Sequence, residues 1–409
     1  MAATRHGAIV ATLGVLTGLG SAGLTWILHA VEELVYGHGE QPGAVLTDGV
    51  DPWRMSIGVA VVAAVLALAW WALRRWGRPL VGVKGMVRGT TPPTVSTVIN
   101  AVLQMIGVGS GLPVGREVAP RELAALFAVR FCERMGVNGG RRRVLVAAAA
   151  GAGLGAVYQV PLAGAVFAME LLLKEVSMRI AATCLGMSAI AVVTAQVVVS
   201  PQPQYVAALI DSTDTGVLIW AGVVGLLLGP LGGWFGDLAD HVKKHSQRGT
   251  PTLVTLPLAG LGVAVLAWFW PLVLGNGRSA AQAAFLGLTL GMAALLFVAK
   301  TAATMLTLRA GAVGGTLAPA IAAGATGGIV IGRLGELAVP GLEVPIAVLA
   351  VLGAAAMLAT SLRAPATGML LVAGVTGQGH MAFAALALAV AAAFATSAVR
   401  PKLYRIKRG

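Results

Sequence analysis

Apolar runs long enough to cross a bilayer recur along almost the whole chain. A membrane-spanning helix needs about 17–25 predominantly apolar residues, and uncharged runs of this kind occupy residues 56–73, 180–199, 215–231 and 346–362. An earlier run, residues 8–28, is too long for a signal-peptide core and lacks a small-residue cleavage site, so we assign it as the first span. Short segments of alternating polarity, typical of barrel strands, are not found. The pattern predicts an all-α, polytopic membrane protein.

Polar positions interrupt this pattern at one deeply placed stretch, residues 115–120 (Gly-Arg-Glu-Val-Ala-Pro). A charged pair at membrane depth is costly unless it lines a polar cavity. The glycine leaves the backbone bare, and Pro120 suits the first turn of a new helix. A helix that begins inside the membrane directs free N–H groups and the positive end of its dipole at the cavity. The stretch therefore predicts an anion site, with a salt bridge between two packed helices as the alternative.

The second half of the chain repeats this plan. Residues 314–319 (Gly-Gly-Thr-Leu-Ala-Pro) match residues 115–120 at an offset of 199 (319 − 120). Residues 362–368 (Leu-Arg-Ala-Pro-Ala-Thr-Gly) likewise match residues 158–164 (Tyr-Gln-Val-Pro-Leu-Ala-Gly) at an offset of 204 (365 − 161). Two broken-helix motifs in the same order indicate an internally duplicated transporter with its substrate near the bilayer midplane. The alternative is chance similarity between helices rich in glycine and alanine.

The duplication suggests how the chain is divided. We predict a first membrane repeat in residues 1–200, a second in residues 215–400, and a short C-terminal helix or tail in residues 401–409. The motifs at residues 115–120 and 314–319 would then face one cavity from its two sides.

Composition and charge agree with a membrane protein. The 409 residues are 57% hydrophobic and 11% charged, with a mean hydropathy of +0.85, whereas soluble domains carry roughly 25% charged residues. A net charge of +13 would favour nucleic-acid binding in a soluble protein. Here the lysines and arginines cluster at the ends of apolar runs, which usually face the cytoplasm. We therefore expect solvated interfacial charge, contact with the lipid bilayer and no nucleic-acid partner.

The chemistry-bearing residues give no sign of an enzyme. The chain has two cysteines, Cys132 and Cys184, both in or beside apolar stretches, and six scattered histidines. No spacing suits a disulfide framework, a zinc site or a nucleophile with its base. We expect no enzymatic activity, no cofactor and no metal.

Five segments resemble the CLC family of chloride channels and chloride/proton antiporters. Gly115, Arg116 and Glu117 resemble its Gly-Arg/Lys-Glu-Gly-Pro motif, whose glutamate acts as the gate. Residues 314–319 resemble its Gly-x-Phe-x-Pro motif. Residues 159–170 and 362–368 resemble further family segments, and residues 401–404 (Pro-Lys-Leu-Tyr) resemble the short closing helix that carries an anion-coordinating tyrosine. The resemblance covers nearly the whole chain, in the family's order.

The resemblance implies a fold, a ligand and a set of site residues. The fold would be two inverted repeats in a multi-pass cell-membrane protein of the bacterial type, without a C-terminal cytoplasmic module and forming a homodimer. Chloride or a similar anion would be coordinated by Gly115, Arg116, Glu117, Val118, Thr316, Leu317, Ala318 and Tyr404. Ionised, Glu117 would occupy the anion's own position; protonated, it would swing out, because a neutral carboxyl loses its attraction to the helix dipoles.

Several positions depart from the family pattern. Val118 and Ala119 stand where the family has Gly-Pro, and the proline follows one place later at Pro120. Leu317 replaces a phenylalanine that narrows the pore.

The family's Gly-Ser-Gly-Ile-Pro motif aligns in order near residues 81–84, which contain no serine. Residues 109–113 (Gly-Ser-Gly-Leu-Pro) resemble it but adjoin the gate, so we interpret that match as coincidental. Lys84 would supply charge at the inner anion site instead, or it is an interfacial lysine. Selectivity for chloride over nitrate or fluoride stays open.

Antiporter members carry two adjacent glutamates, the second of which transfers protons on the inner side. This chain has Glu170 followed by Leu171, and a leucine carries no proton. A proton path would need Glu117 with Glu170, Glu175 or water, and Glu170 is alternatively a structural carboxylate between packed helices. We therefore expect channel-like or weakly proton-coupled conduction. Strict chloride/proton antiport is the alternative, and a non-transporting membrane assembly protein is a more remote one.

Overall fold

A computed structural model describes residues 2–41, 43–212, 214–339 and 345–397. Within these ranges the chain folds into sixteen α-helices with one π-helical turn and one short 3-10 helix, and it contains no strand. Seven of the described helices, α1, α2, α8, α9, α10, α12 and α13, are long and apolar enough to cross a membrane. The all-α, multi-pass prediction is confirmed.

The first eight helices lie within residues 1–200. They are α1 (Ala2–Tyr36), α2 (Pro52–Trp76), α3 (Val83–Val87), α4 (Thr94–Gly109), α5 (Val118–Arg134), α6 (Gly139–Tyr158), α7 (Pro161–Phe167), which continues as the π-helical turn Ala168–Leu173, and α8 (Met178–Ala195).

The other eight helices lie within residues 215–400. They are α9 (Thr215–Lys244), α10 (Thr252–Phe269), followed by the 3-10 helix Pro271–Val273, α11 (Arg278–Leu286), α12 (Leu290–Ala310), α13 (Leu317–Ala338), α14 (Ile346–Leu362), α15 (Pro365–Val375) and α16 (Ala382–Ser397).

The two sets of helices correspond one to one. The clearest match is the break after α6 and after α14: Gln159 has φ 57° and ψ 33°, and Arg363 has φ 57° and ψ 40°. Left-handed backbone is uncommon for residues other than glycine. In both places a proline, Pro161 or Pro365, then opens the next helix. α1 packs on α8 as α9 packs on α16, and α2 packs on its counterpart α10.

The two repeats run in opposite directions through the membrane. We assign the arginine-rich helix ends to the cytoplasmic, or inner, side. α5 starts near the centre and ends at Arg134, just before the basic residues that open α6. α13 also starts near the centre, but its end packs Gly335 against Trp220, near the beginning of α9 on the opposite, outer side. Inverted repeats with helices broken at mid-membrane are the result.

Small residues let these helices approach closely, as is common in lipid. α13 and α14 cross where a Cβ on Gly324 would strike the carbonyl oxygen of Gly353. α13, which begins at one of the broken motifs, is therefore held against α14 by close backbone contact.

Two short helices were missing from the sequence prediction. α3 and α11 both lie between the long apolar runs that predicted the membrane spans. Neither has enough residues to give a long apolar run. α5 begins at Val118, so Pro120 falls in its first turn, as predicted.

Candidate functional site

The two broken-helix motifs meet at the centre of the protein. Gly115 and Gly315 form an antiparallel bridge in which each N–H donates to the other residue's carbonyl at 2.8 Å. α5 begins at Val118 and α13 at Leu317, within three residues of this bridge. The starts of two helices, one from each repeat, therefore lie side by side, and both offer the positive ends of their dipoles to one small region.

The carboxylate of Glu117 occupies this region. Its Oε1 accepts a hydrogen bond from the N–H of Leu317 at 2.8 Å, so it binds the first free amide of α13. The side chain is 1% exposed, and Oε2 has no hydrogen-bond partner among the described residues. An acid held by a helix start, with one unmatched oxygen, is positioned as an anion would be.

Glycine at both bridge positions makes room for that carboxylate. A Cβ built on Gly115 or on Gly315 would overlap the carboxylate oxygens of Glu117. The bare backbone inferred from the sequence is thus a steric requirement at these two positions.

The amides predicted to bind the anion differ in availability. The N–H of Gly115 donates to the Gly315 carbonyl across the bridge, and the N–H of Leu317 donates to the Glu117 carboxylate. Val118 and Ala318 lie in the first turns of α5 and α13, where N–H groups lack acceptors within the helix. Tyr404 lies outside the described residues.

On the inner side, two cations approach Glu117. Lys243, near the end of α9, places its Nζ 3.4 Å from the Thr316 hydroxyl oxygen. The Nε of Arg121 donates to the backbone carbonyl of Glu117 at 2.6 Å, and its guanidinium lies 5.2 Å from the centre of the Phe167 ring. The sequence predicts solvated interfacial charge for the lysines and arginines at the ends of apolar runs. Lys243, which stands at such an end, departs from this prediction because its side chain turns in to Thr316. Nothing local in the sequence signals a contact across 73 residues.

On the outer side, the Arg116 guanidinium points away from the bridge. Its Nη1 donates to Glu40 at 2.9 Å and its Nη2 to the side-chain oxygen of Gln204 at 2.9 Å. Arg278, the first residue of α11, donates to the same Glu40 oxygen and to the Gln204 carbonyl. Any direct contact of Arg116 with a central anion would therefore come from its backbone. No short motif in the sequence indicates this outer cluster.

The electrostatics of that cluster favour an ionised Glu40, which lies in the loop between α1 and α2. Burial raises the pKa of Glu40, but the guanidinium groups of Arg278 and Arg116 outweigh burial and lower its pKa to about 2. The carboxylate is therefore negatively charged throughout the physiological pH range.

The other candidate residues have structural partners or are exposed. Glu170 accepts hydrogen bonds from the N–H groups of Ala366 and Thr367 and from the Thr367 hydroxyl, at 3.1, 2.8 and 2.6 Å. It thus caps the start of α15, which is the structural role weighed for it. Lys84 is exposed on α3, as an interfacial lysine would be. The Ser110 hydroxyl donates to the Gly107 carbonyl of the preceding helix, α4, at 2.9 Å.

No group of three or more potential metal ligands exists among the residues that the structure describes. Cys132 and Cys184 are both buried and free.

Sequence comparisons place these motifs in a known family. The voltage-gated chloride channel family profile matches residues 64–398. A voltage-gated ClC-type chloride channel, ClcB, from Salmonella typhimurium is 27% identical over 381 residues, which cover 90% of this chain and 91% of the relative. ClcB from Escherichia coli O157:H7 (strain EC4115) is 29% identical over 411 residues, which cover 97% of each.

Structural comparison gives the same fold. A slow cyanobacterial Cl⁻/H⁺ antiporter aligns with a TM-score of 0.82 at 20% identity, covering 97% of this chain and 94% of the other. A CLC-type fluoride/proton antiporter aligns with a TM-score of 0.72 at 18% identity, covering 96% and 95%. Since the family profile spans most of the chain, and the inverted repeats and central helix starts accompany it, the chain belongs to the voltage-gated chloride channel (CLC) family of anion-transporting membrane proteins.

Proposed function

We propose that the protein transports chloride, or a similar small anion, through a pore in which Glu117 is the gate. The observation that carries the proposal is the hydrogen bond from the Leu317 N–H to Oε1 of Glu117, at 2.8 Å. A carboxylate seated on the start of α13 holds the place that an anion would take at the same amide. Backbone N–H groups suit chloride, a large and weakly hydrated ion that needs no full opposite charge.

Protonation would release this gate. The ionised carboxylate is attracted by the helix dipole and by the N–H of Leu317, and a neutral carboxyl loses most of that attraction. The side chain then leaves its position, and the amides at the starts of α5 and α13 become available to the anion. Lys243 would hold an anion that arrives from the inner side, since its Nζ lies beside Thr316.

We propose channel-like or weakly proton-coupled conduction. Leu171 stands where an inner proton-transfer glutamate would be, and the Glu170 carboxylate is engaged in capping α15. A proton that reaches Glu117 from the outer side therefore finds no glutamate at position 171 to carry it on to the inner side. We also propose a homodimer, as the family resemblance implies; light scattering in detergent would test it.

Strict antiport is the second candidate, and one acid on α5 supports it. Glu122 follows Glu117 by five residues, which places it about 7.5 Å further along the helix axis toward the cytoplasm. Its Oε2 accepts from the Asn100 amide at 3.1 Å and from the Gln104 amide at 3.4 Å. In this scheme Glu122 would pass protons to Glu117 in place of the absent glutamate.

Chloride efflux from proteoliposomes tests the gate. We expect wild-type efflux that rises as the pH falls, and fast efflux that no longer responds to pH in Glu117→Gln and Glu117→Ala. Glu336→Gln, on α13 and paired only with Arg333 in the described part of the chain, is the matched control and should behave as wild type. Wild-type efflux no faster than that of empty liposomes would instead favour a non-transporting assembly protein.

A gradient experiment separates the two modes of transport. An imposed chloride gradient should not drive protons uphill if conduction is channel-like. Uphill proton movement that disappears in Glu122→Gln would establish antiport through Glu122 and overturn the channel-like proposal.

A further inference from the structure

A buried charge cluster joins the two repeats on the outer side of the gate. The Glu40 Oε2 accepts from Nη1 of Arg116 at 2.9 Å, and also from Nη1 of Arg278. The side chains of Arg116 and Glu40 are each 4% exposed, and that of Arg278 is 8% exposed. Arg116 comes from the first repeat and Arg278 from the second, so one carboxylate from the α1–α2 loop is shared by guanidinium groups of both.

The cluster retains a buried hydrogen-bond donor that an anion could use. The Nε of Arg116 is buried and has no acceptor among the described residues, and leaving a buried donor unmatched is costly. Glu32, the nearest other acid, accepts the Glu40 N–H at 2.9 Å. It forms no ion pair with either guanidinium in the described part of the chain.

A cavity of about 230 Å³ opens beside the cluster. Besides Glu40, Arg116 and Arg278, its wall includes Thr25, His29 and Ser200. Liquid water occupies about 30 Å³ per molecule, so the cavity has room for a small anion with several waters. Arg116 directly precedes Glu117, which places the cavity at the outer approach to the gate.

From these contacts we infer that Arg116 and Arg278 form an outer binding site for a small inorganic anion, and that the Glu40 carboxylate is a tethered competitor for it. Guanidinium groups bind anions through charge-assisted hydrogen bonds. An anion that enters the cavity displaces Glu40, is held by both guanidiniums, and then passes to the position that Glu117 guards. This inference rests on the proposed anion transport and adds a second, outer gate to it.

The alternative is a fixed ion pair that only positions Arg116. A buried pair of that kind is costly to break, because removing one partner leaves the other charge uncompensated. The two ideas differ in one respect: a competitor must leave for transport to proceed, whereas a fixed pair must stay.

The first test measures chloride uptake into proteoliposomes against external chloride concentration. Glu40→Gln keeps the size of the side chain and removes its charge, so we expect the half-saturating external concentration to fall by about tenfold, equivalent to one weakened charged contact. Glu33→Gln changes an exposed acid near the end of α1, before the loop that carries Glu40, and should leave that concentration unchanged. An unchanged or raised half-saturating concentration in Glu40→Gln overturns the competitor.

A second test pins the loop. A Cβ built on Gly39 lies 3.6 Å from the His29 Cβ, within the range of about 3.5–4.5 Å found in disulfides. In the variant combining His29→Cys and Gly39→Cys, oxidation ties the residue next to Glu40 to α1. We expect oxidation to abolish most chloride flux and reduction to restore it, with no effect of oxidant on either single variant.

The outcomes separate this inference from the function on which it rests. Equal flux in the oxidised and reduced double variant shows that the loop need not move and refutes the outer gate. If wild-type protein gives no chloride flux at all, the proposed function itself fails. Wild-type flux that is insensitive both to Glu40→Gln and to the disulfide refutes only the outer gate.

Discussion

Gly115 and Gly315 donate their N–H groups to each other's carbonyls at 2.8 Å, although they are 200 residues apart in the chain (315 − 115). This pairing brings the starts of α5 and α13 together and places Glu117 within hydrogen-bond distance of Leu317. Two contacts therefore join the repeats beside the proposed gate: the backbone pair of Gly115 and Gly315, and the hydrogen bond from the Leu317 N–H to the Glu117 carboxylate.

We expect Gly315→Ala to disturb the gate without touching its acid. The new Cβ would overlap the Glu117 carboxylate, so the carboxylate must leave its position. Chloride efflux at neutral pH should rise toward that of Glu117→Gln, and its dependence on pH should weaken. Gly222→Ala, where an added Cβ meets nothing within 4 Å, is the control. A wild-type pH profile in Gly315→Ala would contradict the steric argument.

Lys243→Gln should weaken the inner approach to the gate. Its ammonium lies beside Thr316, and loss of one charged contact of this kind changes affinity by about tenfold. We expect the half-saturating chloride concentration on the inner side to rise by that amount. Lys244→Gln, an exposed neighbour on the same helix end, should have no effect; equal effects of both variants would indicate a general surface potential instead.

Lys300→Met should destabilise the fold. Lys300 is 1% exposed, and its ammonium donates to the carbonyls of Val273 at 2.6 Å, Leu274 at 3.1 Å and Gly275. Buried carbonyls that lose a charged donor cost about 1–3 kcal/mol each, so we expect a loss of about 3 kcal/mol or more in unfolding experiments in detergent. Lys244→Met, at an exposed position, should unfold as the wild type does. A Lys300→Met variant as stable as the wild type would show that Lys300 does not stabilise the fold.

The stabilising effect of Glu40 should depend on pH in a defined window. Because the pKa of Glu40 is lowered from 4.5 to about 2 in the folded chain, the carboxylate stabilises the fold fully above pH 4.5. That contribution is lost as the pH falls toward 2. The groups that face Glu40 are His29, Glu32, Tyr36, Arg116, Tyr205 and Arg278.

Unfolding of the wild type and of Glu40→Gln at pH 7, 4 and 3 measures this effect. The difference in stability between them should be largest at pH 7 and should shrink at pH 3. A difference that stays constant would show that Glu40 stabilises the fold without its charge.

The sequence predicted the parts of the site that depend on short motifs. The Gly-Arg-Glu stretch deep in an apolar region predicted a helix broken inside the membrane. Its match to the motif that ends at Pro319 predicted the internal repeat. Both follow from local rules: charge at membrane depth is costly, and proline suits the first turn of a helix. The left-handed residues Gln159 and Arg363 lie where the second matched motif predicted a break.

The sequence could not predict contacts that depend on how distant segments pack. Glu40 and Arg278 are separated by 238 residues, and each, read alone, belongs to a polar loop or turn. Lys243 ends a basic helix, as interfacial lysines do, and only the packing of α9 beside α13 turns its side chain toward Thr316. The hydropathy pattern also fails to predict α3 and α11, because a short helix buries too few residues to leave a periodic pattern.

The shared bridge also bears on biosynthesis. Because synthesis and folding proceed from the N-terminus, residue 117 enters the membrane long before residue 317 has been translated. Until then the Glu117 carboxylate lacks the Leu317 N–H as a hydrogen-bond donor, and an anion would lack the amides of α13 that are proposed to coordinate it. We therefore expect prematurely terminated copies that lack the second half to be electrically silent, so that an unfinished protein does not drain the ionic gradients of its cell.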